Sequence, residues 1–205
     1  MDQRNEIKIP NALVGHYLTA AQEVLGLERL EDVLQKTNIL TSSVNALPDT
    51  LELSVSSGQF AQVNDEIEKQ YPSLSRKILQ RIGFRSFKNV IQDQIILLTP
   101  AIFVLKILPP RQRLSIILNS LIDTLEKMQP QFEISVEDVE GGLAFIDRTC
   151  PICIGRHSQI AVCHLNVGFL MGIAQWVLGQ PITVIETHCC AKGDDHCHFE
   201  LEIPT

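Results

Sequence analysis

Apolar residues recur every three to four positions through the first two thirds of the chain and alternate one by one in much of the remainder beyond Pro130, a change of period from helix to strand. Leu13, Tyr17, Leu18, Ala21, Val24 and Leu25 fall on adjoining rows of a helix that Asn11 can cap and Gly26 can stop. A second helix is expected over Leu27 to Lys36, with Leu30, Val33 and Leu34 inward, and then a polar loop from Thr41 to Pro48. Phe60, Val63, Ile67 and Tyr71 form a third stripe, ended by Pro72, which has no N–H for the helical ladder. From Ser73 or Ser75 another helix runs through Ile78, Leu79, Ile82 and Phe87 to about Gln94, and Gly83 within it suggests close packing. Ile95 to Leu108 is apolar nearly all round, which implies burial on several sides, as core or as the wall of a ligand chamber. Pro109 and Pro110 then precede a stripe of Leu114, Ile117, Leu118, Leu121, Leu125 and Met128 that stops at Pro130.

Beyond Pro130, Phe132, Ile134 and Val136 alternate with Glu133, Ser135 and Glu137, and a turn over Asp138 to Gly142 leads into a second strand, Leu143 to Asp147. Val162 to Leu178 returns to helical spacing, with Leu165, Phe169, Ile173, Trp176 and Val177 inward and Gly179 at its end. Two last strands, Ile182 to Cys189 and Cys197 to Ile203, pair about Gly193, where Asp194 and Asp195 supply turn chemistry. The fold class expected is α+β: a single domain over residues 1–205, mainly helical over 1–129 and packed on a small antiparallel sheet over 130–205. A hydrophobic ligand would sit among Ile102, Phe103, Leu105, Ile107, Phe169 and Trp176.

Composition narrows the class. With 205 residues, 45% hydrophobic and 20% charged, the chain has the balance of a folded domain. The start, MDQRNEIKIP, has no apolar signal-peptide region, and the run at Ile95 to Leu108 is too short to cross a bilayer, so a cytoplasmic protein without transmembrane helices is expected. The net charge of −7 counts against general nucleic-acid binding. Charge is uneven, with 9 basic and 3 acidic residues over 76–129. Lys77, Arg81, Arg85 and Lys88 share one helical face, which reads as a solvated face before a docking stripe.

The candidate chemistry lies in the last third. Cys163, Glu186, Cys189 and Cys197 form a four-donor set for zinc. In a hairpin about Gly193, Cys189 and Cys197 lie opposite one another. Glu186 is three residues before Cys189, an odd step that would point the two to opposite faces of a regular strand, so a twist or bulge is required between them. Cys163 is expected in the first turn of its helix, where the helix dipole favours a thiolate. Three thiolates and a carboxylate make a closed, structural site. Cys150 and Cys153, in CPIC, are alternative ligands for an iron–sulfur cluster with Cys163 and a later cysteine, a redox dithiol, or simply loop-shaping residues. His157, His164, His188, His196 and His198 crowd the region, and alternation turns His188 and His198 away from the site.

The segment ETHCCAKGDDHCHFELE, with the spacing Cys163, Glu186, Cys189, Cys197, resembles the 4-vinyl-reductase-like domain family and the zinc site in sensor domains of phenol-responsive transcription activators. NALVGHYLTAAQEVLGLERLEDVL and YPSLSRKILQRIGFRSF are similar to the helical half of that family, and CPICIGR looks most like its photosynthetic-bacteria branch. The resemblance implies an α+β fold like small TRAPP-complex subunits and haem–nitric-oxide sensors, a homodimer, and a pocket between helices and sheet. It also implies roles in aromatic sensing or in bacteriochlorophyll and chlorophyll metabolism. The chain shows no ATPase or helix-turn-helix segment and no glycine-rich nucleotide fingerprint, so no reductase cofactor is visible.

Three functions are expected on these grounds. The first is a non-enzymatic, zinc-stabilised binding domain for a hydrophobic molecule such as a tetrapyrrole, a carrier or photosynthetic-complex assembly factor at the edge of photosynthetic membranes. The second is an iron–sulfur or thiol redox protein using Cys150 and Cys153. The third is a ligand-free scaffold docking partners through the basic stripe.

Overall fold

The computed structural model describes residues 7–37, 50–105 and 107–203, the side chains of 93–106 excepted. The expected loop over 41–48 lies outside the described residues.

A short strand β1 (Lys8–Pro10) enters α1 (Asn11–Leu25), and α2 (Leu27–Lys36) comes next. Asn11 does not cap α1. It is the first helical residue, buried, and its side chain hydrogen-bonds Ser54 and Thr50, tying the helix start to residues 50–54. That segment contains β2 (Leu53–Ser56), antiparallel to β1, a pair the helical periods gave no reason to expect although LELSVS does alternate. At α3 (Ser57–Gln70), Ser56 and Gln59 exchange side-chain-to-backbone bonds at both ends of a capping box, which satisfies two otherwise orphaned N–H groups.

One helix, α4 (Ser75–Leu105), replaces the separate helix and apolar segment expected on either side of Gln94. The pattern there changes from amphipathic to apolar all round, but nothing near Gln94 breaks a helix. α5 (Pro110–Met128) starts with a proline at its first position, where the missing N–H costs no helical bond.

The sheet has the order β3 (Ile134–Val139), β4 (Gly142–Asp147), β6 (Cys197–Glu202), β5 (Thr183–His188), all neighbours antiparallel. β6 is therefore internal, and Phe199 and Leu201 are fully buried. Between β4 and β5 the chain forms α6 (His164–Leu178), which lies against α4. The two helices cross closely because glycines face backbone: a Cβ at Gly83 would sit 2.8 Å from the Phe169 nitrogen, and one at Gly168 would collide with the Gln80 carbonyl. The contact suggested by Gly83 is thus a backbone approach that a side chain would block. The basic stripe stays at the surface, where Arg85 lies 4.0 Å from Glu23 and Lys88 sits over the Phe84 ring. No helix among the described residues is long and apolar enough to cross a membrane.

Candidate metal centre and adjoining cavity

Three pieces of chain converge beneath the sheet. After β4 the CPIC segment turns tightly, with the Cys153 N–H bonded to the Cys150 carbonyl and the Arg156 N–H to the Cys153 carbonyl, each at 3.1 Å. Both cysteines are buried. Arg156 pins this turn to α3, at 2.6 Å from Glu68 and 3.6 Å from Asp65.

Cys163 caps α6 from just outside it, one step earlier than the first turn where the sequence places it. Its N–H donates to Glu186 Oε2 at 2.8 Å. Glu186 lies in β5, and the ladder to β6 shifts register between Glu186 and His188, the irregularity that the odd spacing demands. Cys189 comes directly after the last paired residue, His188, and leads into a 3-10 turn, Cys190–Lys192, closed by Gly193 at φ 99°. Asp194 accepts the Cys189 N–H at 2.7 Å and so holds the turn against the strand. Cys197 opens β6 opposite Asp147, beside the CPIC turn.

The result is a nest of five buried sulfurs and one carboxylate. Cys163, Glu186, Cys189 and Cys197 place one donor atom each within 4.8 Å of one another, and so do Cys150, Cys153, Cys163 and Cys197. Cys163 Sγ lies 3.4 Å from Cys150, 3.2 Å from Cys153, 3.9 Å from Cys189 and 3.6 Å from Cys197. With Zn–S near 2.3 Å, a tetrahedral site has sulfur–sulfur edges of about 3.8 Å. These separations lie at or below that edge, close enough for four of the five sulfurs to share one ion. The thiolates of a four-iron cluster bind separate irons and stand wider apart.

Crowding sets the protonation. Burial pushes Glu186 up to about 9, and its Oε1 is buried without a hydrogen-bond partner among the described residues. Hydrogen bonding from Cys150 and the neighbouring thiols pulls Cys153 down, while the same contacts hold Cys197 up as a thiol. Cys189 is drawn down too, to about 6, while Cys150 and Cys163 are held up with Cys197, so some sulfurs ionise at the expense of their neighbours. A cation relieves that conflict by displacing the protons, and the chemistry of the donor set suits a thiophilic ion such as zinc. The Cys190 N–H points at Cys197 Sγ from 3.3 Å, a donor placed to stabilise a thiolate.

Neither four-donor group includes a histidine. The rings of His188, His196 and His198 cluster with one another, 5.5 to 5.8 Å between centroids, while Cys197, between two of them, is buried.

Pro151 of the CPIC segment also lines an apolar cavity of about 180 Å³. Leu13, Tyr17, Phe60, Leu121, Phe145 and Phe169 line it, drawn from both halves of the chain. Of the expected chamber residues, Phe169 is in this wall. Trp176 packs instead on Phe87, at 5.9 Å between ring centroids, and Ile107 is 85% exposed. The side chains of Ile102, Phe103 and Leu105 lie outside the described residues. Five polar residues in the wall carry no sign of that role in the sequence: His16, Tyr17, Ser86, Asp147 and Asn166. The Tyr17 hydroxyl is buried with no hydrogen-bond partner among the described residues. Burial raises the Asp147 carboxyl to about 7, against the lowering effect of the Thr149 N–H, which donates to it at 3.0 Å. Tyr17 reads in sequence as one more member of an apolar stripe, and Asp147 as a strand end; nothing local marks either as a cavity residue.

Residues 146–203, which hold all six cysteines, match the family model of the V4R domain. The family resemblance read from the cysteine and glutamate spacing holds. The chain is 33% identical over 90 residues to an uncharacterized protein of Methanocaldococcus jannaschii, covering 42% of this chain and 52% of that one. It is 40% identical over 42 residues to the phenol regulator MopR of Acinetobacter guillouiae, covering 20% and 8%. The chain thus spans about half or less of these curated relatives. Solved H-NOX proteins share the fold over nearly the whole chain. The unliganded Fe(II) protein of K. algicida superposes with TM-score 0.64 at 12% identity, covering 96% of this chain and 97% of that one. The Fe(II)NO form from S. oneidensis gives 0.61 at 14%, covering 93% and 99%. The α+β class expected from sequence is therefore the observed one, with the matched region supplying α6, β5 and β6.

Proposed function

We propose that this chain is a single small-molecule-binding domain, a sensor or carrier without catalytic machinery of its own, whose V4R region is held together by a metal ion. The observation that carries the reading is the apolar cavity with the unpartnered Tyr17 hydroxyl, placed where the helical half meets the V4R region. A cavity of about 150 Å³ lined by aliphatic and aromatic side chains accepts benzene. The 180 Å³ found here therefore favours a single-ring guest carrying one hydrogen-bonding group over a tetrapyrrole. The Acinetobacter relative is a phenol regulator, and phenol is a guest of this size. A tetrapyrrole, a photosynthetic-membrane role, homodimerisation and assembly partners remain implied by family resemblance alone.

The metal ion binds Cys163, Cys189 and Cys197, with a fourth donor drawn from Glu186 or the CPIC cysteines. It would be zinc, acting as a clamp. It joins the start of α6, the β5–β6 hairpin and, through Cys197 beside Asp147, the end of β4.

The test is a thermal-shift and calorimetric titration with phenol, benzene and haem, on wild type and on Leu121→Trp, which fills the cavity. Saturable phenol binding in wild type, lost in Leu121→Trp, supports the reading. Haem binding with a one-to-one Soret shift and no phenol binding would replace it with the tetrapyrrole reading.

A further inference from the structure

The register shift in β5 that brings Glu186 and Cys189 to one site has a second result on the opposite face of the sheet. The ladder passes from Glu186 opposite Phe199 to His188 opposite His198, so the bulge sets two histidines side by side on neighbouring strands. Cys197, Phe199 and Leu201 are buried, and alternation along β6 turns His198 and Glu200 the other way. Directly opposed residues have Cβ atoms about 4.5 to 5.5 Å apart, a separation at which two imidazoles can hold one ion. His196 completes a triangle. Its ring centroid lies 5.7 Å from that of His188 and 5.8 Å from that of His198, which are themselves 5.5 Å apart. Three imidazoles bound at about 2.0 to 2.1 Å to a tetrahedral ion have centroids about 5 Å apart. The observed triangle is slightly wider, and rings that reach solvent close it by rotation.

Thr187 sets the tautomer of the first ring. Its hydroxyl donates to the His198 carbonyl at 3.4 Å, which leaves Oγ1 to accept from His188 Nδ1 at 3.1 Å. His188 then carries its proton on Nδ1 and presents Nε2 with a free lone pair. Glu200 Oε1 lies 3.9 Å from His198 Nε2, in reach of a fourth position on the same ion. We propose that His188, His196 and His198, with Glu200, form a second metal site, open to solvent and suited to divalent ions that favour imidazole, such as zinc or nickel. None of its donors is shared with the thiol nest, and the site stands whether or not the nest holds an ion. The two differ in kind. The nest encloses its donors, whereas the histidine site leaves room for solvent and lets its ion exchange.

Calorimetric titration of nickel into the untagged full chain, preloaded with zinc and desalted near neutral pH, tests this together with nickel-edge X-ray absorption and metal content by mass spectrometry. The expected result is one nickel per chain in a shell of nitrogen and oxygen without sulfur, with zinc content unchanged. His188→Asn and His198→Asn should each weaken nickel by at least the about 10-fold that loss of an orienting partner costs, and the double substitution should abolish saturable binding. The wild-type absorption spectrum decides the donor type even where a variant fails to fold. No saturable nickel binding in wild type, a nickel shell containing sulfur, or undiminished affinity in the folded double variant overturns the proposal.

Discussion

The thiol nest and the apolar cavity share the short segment Asp147 to Cys153, and they are built on different principles. Every donor of the nest comes from residues 150–197, placed by one turn, one helix start and one hairpin. The cavity takes its wall from α1, α3, α4, α5, β3, β4 and α6, elements separated by more than a hundred residues. The nest is local and polar, and its stability depends on an ion. The cavity is non-local and apolar, and it exists because several helices cannot close against the sheet. A local site can be recognised by spacing; a non-local one exists only once the chain has folded.

That contrast can be broken most forcefully at the ion. Stripping the metal with a chelator, or substituting Cys197→Ala, should destabilise the chain on the order of 5 kcal/mol and lower the melting midpoint by about 10 °C or more, because zinc binding is coupled to folding. Calorimetry with parallel metal analysis checks this. An unchanged midpoint in metal-free protein would remove the clamp.

The segment between the two sites gives a pH signature. Asp147 has its carboxyl raised from 3.8 to about 7 by burial, so the folded chain holds a proton that the unfolded chain releases. Its contribution is full below pH 3.8 and is lost as pH rises through about 7. Asp147→Asn should flatten that decline and raise stability above neutrality, which denaturant titrations across the pH range will show. Equal slopes in both proteins would mean that Asp147 is ionised in the fold.

Packing between α4 and α6 affects both regions together. Gly168→Ala drives a methyl into the Gln80 carbonyl and should cost about 2 kcal/mol, with metal stoichiometry unchanged in the folded fraction. Equilibrium unfolding measures it.

The smallest effect sharpens the cavity alone. Tyr17→Phe removes a buried hydroxyl that lacks a partner, and should stabilise the guest-free chain by about 1 kcal/mol while weakening phenol more than benzene. A loss of stability instead would mean that the hydroxyl is satisfied, and the two titrations separate the outcomes.

Much of the fold was legible because its elements carry their own punctuation. α2 runs from Leu27 to Lys36 as its stripe requires, and Pro72, Pro110 and Gly179 mark ends that local geometry enforces. The bulge before Cys189 was legible too, since an odd spacing and a shared site are incompatible in a flat strand. The extent of α4 was not, because a change from amphipathic to all-apolar pattern resembles a boundary when the neighbours are unseen. Asn11 was misread as a cap for a similar reason: its partners, Thr50 and Ser54, lie about forty residues away.

The amino-acid sequence by itself determined the α+β class, most element boundaries and the convergence of Cys163, Glu186, Cys189 and Cys197, because each depends on contacts within a few residues or across one hairpin. Tertiary structure decided that Cys153 joins those sulfurs, that Ile107 faces solvent, and that Tyr17 and Asp147 share a cavity wall. Those outcomes depend on how α6 and α4 cross and on what remains unfilled between helices and sheet. No pattern along one strand of chain encodes a vacant volume; it is the difference between the surfaces of many.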